Sequence, residues 1–350
     1  MSSNPAGRFK VRLTADFYDA DGSPKFADLG LGVFDGYDPI DCGKFAEHRP
    51  TITADQIGDA NGVIVLTPAV TAESLPHNEH LIAFGRFGVG YDAVDVEACT
   101  AADVLLFITA GAVDRPVAEA TVGWMIALTH HMRAKDRLVR TGQWDARAGL
   151  MGCELRDRTL GIVGLGRIAR KLVELLEGFG MNPPLAFDPF VDAETARQMG
   201  VRMTTLDELL ASADFISINC PLTDETRDLI GPRELALMKP DAYLINTARG
   251  GIVDEDALYD VLAAGKIAGA AIDVFATEPL AEPHRLGELD NVLLAPHCIA
   301  WTNEMFRDIG RTACQGMLDL SQGRRPIGVI NPEVLDQPGF EKKWKRVTAE

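Results

Sequence analysis

The sequence predicts two α/β domains built on parallel sheets, one inserted within the other. Short apolar runs alternate with helical stretches along the chain, the pattern of parallel strands joined by crossover helices. A glycine-rich turn stands between a strand-like run and a helical one in the middle of the chain, not at its start. A length of 350 residues exceeds one ordinary domain and fits two.

In the first block the strand-like runs are residues 11–14, 62–66, 82–84 and 104–108. The second block starts with one helical stretch over about 117–141, ended by Gly142. Its first half, 117–128, is apolar almost all round, which predicts burial, within the chain or at a subunit interface. A short apolar run at 160–163 leads into Gly164-Leu165-Gly166-Arg167-Ile168-Ala169, an amphipathic helix and a second apolar run closed by Asp188. The later runs 214–219, 242–246, 269–274 and 292–295 each end in a polar or special residue, as strands emptying into a crevice do. Helical stretches at 206–213, 232–237 and 255–264 separate them, and 302–327 reads as a helical tail. The crossings between domains fall near 114–117 and 296–302. This assigns 1–115 with 300–350 to one domain and 116–299 to the other.

Composition narrows the function classes. Hydrophobic residues at 47% and charged residues at 24% are globular proportions, ample for two cores. A formal charge of −17 argues against nucleic-acid or anionic-membrane binding, since both need a basic face. Cys42, Cys99, Cys153, Cys220, Cys298 and Cys314 lie far apart, with no CxxC pair and no His at ligand spacing. They read as scattered reduced thiols, so neither a disulfide frame nor a metal site is expected. The first residues lack the apolar core of a signal peptide, and no apolar run approaches the roughly 18 residues of a membrane span. A soluble, cytoplasmic protein is expected.

The turn at 164–169 has the form of a dinucleotide fingerprint in its proper setting. Gly164 can adopt the turn, Gly166 has no side chain to block a pyrophosphate, and Ala169 lets helix and strand pack closely. The helix start at Arg167 and Ile168 offers unpaired N–H groups and a partial positive charge to phosphates. Asp188, about 20 residues on, suits a ribose 2′-OH and repels a 2′-phosphate. Pro189 and Phe190 follow it, with no Arg or Lys to accept that phosphate. NAD is therefore expected over NADP, on a Rossmann-like domain inserted in a flavodoxin-like, substrate-binding one.

Three residues after the fingerprint follow strand-like runs and can project into one crevice: Arg249, Glu278 and His297. Taken singly, they fit a surface ion pair, a loop acid and a structural hydrogen-bonder. Beside a nicotinamide site they form a set for reducing a 2-keto acid. His297 would donate a proton to the developing alkoxide, and in the converse oxidation act as base. Glu278 would fix its tautomer and favour its protonated form. Arg249 would hold the substrate carboxylate and polarise the carbonyl.

The fingerprint, Asn246-Thr247-Ala248-Arg249-Gly250-Gly251, Asp273-Val274, Glu278-Pro279 and Pro296-His297 occur in the order and rough spacing of the D-isomer-specific 2-hydroxyacid dehydrogenases. That family includes glyoxylate, hydroxypyruvate and phosphoglycerate dehydrogenases. The chain resembles it over nearly its whole length, including 85–92 and 117–121. The resemblance implies an NAD-dependent oxidoreductase interconverting a 2-keto acid and its D-2-hydroxy acid. It implies that backbone amides of Val89 and Gly90 bind the substrate carboxylate and that Asp273 bonds the nicotinamide amide. Cys220, Pro221, Thr226, Thr247 and Ala248 would line the cofactor path, and Thr121 would lie beside it. It further implies a homodimer through the cofactor domains, with Trp144 on an arm that reaches the partner's substrate in some members. Where members usually carry small residues after the catalytic His, this chain has Trp301, expected to stack on the substrate, crowd the pocket mouth or pack at a hinge. Formate dehydrogenases carry Gln as the His partner, so Glu278 argues against that branch. Phosphite dehydrogenase keeps the same three residues, and NAD-sensing corepressors share the fold without requiring turnover.

Replacing Asp188 with Ala removes the charge that discriminates against a 2′-phosphate. The ratio of NADH to NADPH affinity should fall; an unchanged ratio would remove Asp188 from cofactor selection.

Overall fold

A computed structural model describes residues 8–75 and 79–348. The extreme N-terminus, from which the absence of a signal peptide was read, lies outside the described residues. The chain divides into two units, Met1–Val113 with Trp301–Glu350, and Asp114–Ala300.

The first unit carries strands β1 (Phe9–Leu13), β2 (Ile40–Lys44), β3 (Gly62–Val65), β4 (Ala83–Arg86) and β5 (Leu105–Ile108) in the order β2-β1-β3-β4-β5. Every pairing is parallel. β3 is buried throughout, and β4 and β5 nearly so, as parallel strands covered on both faces require. β2 shows no apolar run in the sequence, because it is an edge strand in which only Ile40 is buried and Cys42 and Lys44 are exposed. The helix Asn303–Ser321 buries Met305, Ile309, Ala313, Cys314, Met317 and Leu320 along one stripe. The Thr302 side chain caps it, accepting from the Met305 N–H at 3.0 Å. The helix stops short of the expected 327, and a further helix, Pro338–Thr348, follows.

Between those helices the chain passes beside β5, where Ile108 N–H donates to Gly328 and Ile330 N–H to Leu106. Asn331 locks this segment in place. Its Oδ1 accepts from Leu106 N–H at 2.8 Å, and its Nδ2 donates to Thr100 Oγ1 and to the Val104 carbonyl, both at 3.0 Å. The side chain is 1% exposed, so these bonds have no water to replace them.

The second unit carries β6 (Leu160–Val163), β7 (Leu185–Phe187), β8 (Arg202–Met203), β9 (Phe215–Ile218), β10 (Tyr243–Asn246), β11 (Gly269–Ile272) and β12 (Val292–Leu294). Their order is β12-β11-β10-β9-β6-β7-β8, again parallel throughout. The chain runs outward from β6 to β7 and β8, then returns to β9 on the other flank of β6. This reversal is the switch point at which open α/β sheets bind ligands, outside the carboxyl ends of the strands.

One expected helix is two. The stretch read as continuous over 117–141 is divided into Asp114–Thr129 and Met132–Arg140, with His131 at φ +50° between them. Thr129 causes the break. Its hydroxyl bonds back to the Met125 carbonyl at 2.9 Å, and its own carbonyl accepts from Cys153 N–H at 3.0 Å instead of continuing the helix. Burial of the first half is confined to one side, at Ala118, Thr121, Trp124, Met125 and Leu128. Among the described residues, no helix is long and apolar enough to cross a membrane.

Asn331→Ala leaves two buried backbone groups, the Leu106 N–H and the Val104 carbonyl, without partners. Chemical denaturation should show a loss of about 2–4 kcal/mol; an unchanged midpoint would mean the segment is anchored elsewhere.

Candidate active site

Because every strand of the second unit points the same way, the residues that follow β6, β7, β9, β10, β11 and β12 gather along one edge of the sheet. The glycine turn follows β6. Gly164 has φ +93°, and a Cβ there would lie 2.7 Å from the Cys220 nitrogen, so the turn sits directly against the chain leaving β9. Gly166 differs: a Cβ built on it meets nothing within 4 Å. It immediately precedes the helix Arg167–Leu176, which no side chain caps at its start. Such a cradle fits a pyrophosphate.

Asp188 closes β7 with both oxygens engaged. Oδ2 accepts from Leu165 N–H in the glycine turn, and Oδ1 accepts from Phe190 N–H, each at 2.8 Å. A carboxylate has about four acceptor positions, so a ribose hydroxyl can still be received. Asp188 thus braces the turn it faces. Arg167 turns elsewhere: its Nε donates to Asp114 at 2.9 Å. Thr121 is 1% exposed, and its hydroxyl donates to the Val117 carbonyl at 2.9 Å. After β9, Thr226 Oγ1 donates to the Pro221 carbonyl and accepts from Thr223 N–H, both at 2.7 Å, tying the loop that begins at Cys220. Burial raises the Cys220 thiol pKa to about 11, so it remains a thiol.

The turn after β10 is organised by Asn246. Its Oδ1 accepts from Ala248 N–H at 3.0 Å and its Nδ2 donates to the Arg249 carbonyl at 2.9 Å, which folds Thr247, Ala248 and Arg249 into a tight bend. The Arg249 guanidinium donates to the Ala248 carbonyl at 2.7 Å. Gly250 then meets the loop after β11 so closely that a Cβ would fall 1.9 Å from the Phe275 carbonyl carbon. The Arg249 turn and the Glu278 loop are therefore in backbone contact.

Asp273, at the end of β11, anchors the chain leaving β12. Its carbonyl accepts from His297 N–H at 2.7 Å, and its Oδ1 accepts from Cys298 and Ile299 N–H at 2.9 and 3.1 Å. These bonds hold His297 at φ +54°, a left-handed conformation rare outside glycine. Burial raises the Asp273 pKa, opposed by the two amide donors and by His297. The Glu278 carboxylate bridges the two loops. Its Oε1 accepts from Phe275 N–H at 2.8 Å, and its Oε2 lies 2.6 Å from Nδ1 of His297. Bonding at Nδ1 leaves Nε2 as the nitrogen able to exchange a proton with a ligand. The His297 side chain is 48% exposed, which gives it that access.

Arg249, Glu278, His297, Asp273 and the glycine turn thus share one edge of one sheet. Val89, Gly90 and Trp301 belong to the other unit, with Val89 and Gly90 just past the end of β4. There Trp301 is 59% exposed and stands edge-on to Phe306 at 5.2 Å, and Phe306 stacks on Phe26 at 4.0 Å. Trp144 is exposed beside Arg147. Sequence reasoning overlooked Asn246, Glu255 and His284. Asn246 closes an apolar run and could have been recognised as a turn-former. Glu255 reads as one of three acids at a helix start, and nothing local distinguishes His284.

Among the described residues, no group of His, Cys, Asp and Glu is placed to hold a metal ion. The fold and this edge define a dinucleotide-binding α/β protein. Residues 122–298 match the family described as "D-isomer specific 2-hydroxyacid dehydrogenase, NAD binding domain". A D-3-phosphoglycerate dehydrogenase of Archaeoglobus fulgidus is 37% identical over 272 residues, covering 78% of this chain and 51% of that protein. A glyoxylate reductase of Aeropyrum pernix is 38% identical over 284 residues, covering 79% of this chain and 84% of that protein. The chain therefore spans about half the length of the phosphoglycerate dehydrogenase and most of the glyoxylate reductase. The solved structure of a D-2-hydroxyisocaproate dehydrogenase shares the fold, with a TM-score of 0.77 at 20% identity over 92% of this chain and 99% of that one. The chain belongs to the D-isomer-specific 2-hydroxyacid dehydrogenase family.

Asp273→Ala strips the acceptor from Cys298 and Ile299 N–H and should cost about 2–4 kcal/mol of stability by chemical denaturation. Asp273→Asn keeps Oδ1. It also removes a carboxyl whose raised pKa makes its charged form increasingly unfavourable to folding as pH rises through its titration. At neutral pH it should be at least as stable as the parent; equal destabilisation by both variants would refute the anchoring role.

Proposed function

We propose that this protein is an NAD-dependent oxidoreductase that interconverts a small 2-keto acid and its D-2-hydroxy acid. The observation that carries this reading is the Glu278–His297 contact at 2.6 Å, made at Nδ1 of a half-exposed imidazole. When bound, the dinucleotide supplies or accepts a hydride at the substrate's second carbon. In reduction, protonated His297 gives the Nε2 proton to the developing alkoxide, and in oxidation neutral His297 takes the hydroxyl proton back. Glu278 fixes the tautomer and offsets the charge of the imidazolium. Arg249 holds the substrate carboxylate, with the amides of Val89 and Gly90 as further donors.

Gly164, Gly166 and the helix start at Arg167 and Ile168 would hold the pyrophosphate, and Asp188 the adenosine ribose. Cys220, Pro221, Thr226, Thr247, Ala248 and Thr121 would line the remaining path, with Asp273 at the amide end. The carboxylate of Asp188, followed by Pro189 and Phe190, favours NAD over NADP. Trp301 presents an exposed aromatic face suited to the substrate side chain. A cytoplasmic homodimer formed through the unit Asp114–Ala300 completes the proposal, and the family resemblance supports it.

Loss of NADH absorbance with glyoxylate, hydroxypyruvate and bulkier 2-keto acids tests the reaction directly. His297→Ala should lower turnover about a hundredfold or more with NADH affinity nearly intact. Unchanged turnover would take His297 out of the mechanism. NADH binding without turnover on any 2-keto acid would favour a sensor over an enzyme.

A further inference from the structure

The loop carrying Glu278 is held from two sides. On one side lies the Arg249 turn, in backbone contact at Gly250. On the other lies Glu255, the first residue of the helix Glu255–Ala263. Its Oε1 accepts from Ala276 N–H at 2.6 Å, and its Oε2 lies 2.9 Å from Nε2 of His284. Nδ1 of His284 accepts from Leu286 N–H at 3.3 Å, so a neutral ring carries its proton on Nε2, directed at Glu255. The ring also lies 5.1 Å from that of Phe275, the residue whose N–H donates to Glu278.

Two features separate this His–Glu pair from the one at His297. Its side chains are 16% and 19% exposed, against 48% and 32% for His297 and Glu278, so it is placed to hold backbone and not to meet a ligand. Glu255 is also not consumed by its own helix, because Asp254 caps it, accepting from Ala257 N–H at 3.0 Å. The neighbouring charges are engaged with one another: Arg285 pairs with Asp256 at 2.6 Å and stands over the Tyr259 ring.

We infer that Glu255 and His284 are positioning residues that fix 275–278 and so keep the Glu278 carboxylate on Nδ1 of His297. This rests on His297 being the proton donor. A carboxylate held at Nδ1 fixes the ring's orientation and tautomer, with Nε2 left for proton exchange; one that swings away leaves the ring free to turn. Asp273 is the other acid that faces His297, and it directly follows β11, outside the segment the pair controls.

The test uses the full chain with Glu255→Ala and His284→Ala, and Glu255→Gln, which keeps an acceptor for Ala276 N–H. With a 2-keto acid that the parent reduces, kcat should fall about tenfold in the alanine variants while the NADH dissociation constant holds. KM for the keto acid should hold within about twofold, because Arg249 is untouched. Glu255→Gln should recover most of the lost kcat. A second readout is independent of turnover. The downfield proton resonance of the His297 Nδ1–H, assigned by its absence in His297→Ala, should weaken or shift upfield in Glu255→Ala. A folded variant with the parental resonance overturns the proposal, even if its activity is lower. Should the alanine variants not fold, Glu255→Leu and His284→Phe, which fill similar space without the hydrogen bonds, are measured in the same way, and parental behaviour in both overturns it. A parent inactive on every 2-keto acid would sink the proposed reaction, and the resonance would still decide whether the pair positions Glu278.

Discussion

The candidate site depends on Asp273. Its carbonyl and one carboxylate oxygen take three consecutive backbone N–H groups from the chain leaving the neighbouring strand. Those bonds fix a histidine backbone in a conformation that sterics otherwise disfavour. They also require the carboxylate to be buried, which raises its pKa. The cost of burial is offset by the two amide donors, so the anchor is stable because it is occupied. Once His297 is fixed, a carboxylate from the next loop needs only to reach Nδ1.

That reach follows from the architecture. Adjacent parallel strands end side by side, so the segments after β10, β11 and β12 are neighbours whatever the length of chain between them. Asn246 folds the first into a bend, Gly250 lets it touch the second, and Asp273 ties the second to the third. The cofactor half is built by the same logic on the other flank. There Gly164 abuts Cys220 across the switch point and Asp188 braces the turn it faces. A sheet edge of this kind supplies short distances between residues far apart in sequence.

Much of this was legible beforehand where a residue's role is local. The fingerprint strand at 160–163 falls where the apolar pattern puts it, because all four of its residues are buried, and the helix at 232–237 falls where Pro232 can open it. Other elements follow no such pattern. β2 is an edge strand with polar outward residues, and the two-residue β8 is too short to show any periodicity. The break at Thr129 depends on a bond from Cys153, more than twenty residues downstream, so local pattern favours one continuous helix.

The class of fold and the chemistry on offer are written in residue order alone: a glycine turn opening a helix, an acid closing the next strand, and an arginine, a glutamate and a histidine each following an apolar run. Those are facts of residue type and short-range order, and short-range order is what a pattern of side chains encodes. Which nitrogen of His297 meets Glu278, that Arg167 turns to Asp114, and that Glu255 and His284 stand behind the loop carrying Glu278 are outcomes of the folded sheet. Hydrogen-bond partners joined across 19 to 53 residues are set by strand order and backbone approach, and these exist only once the sheet has formed.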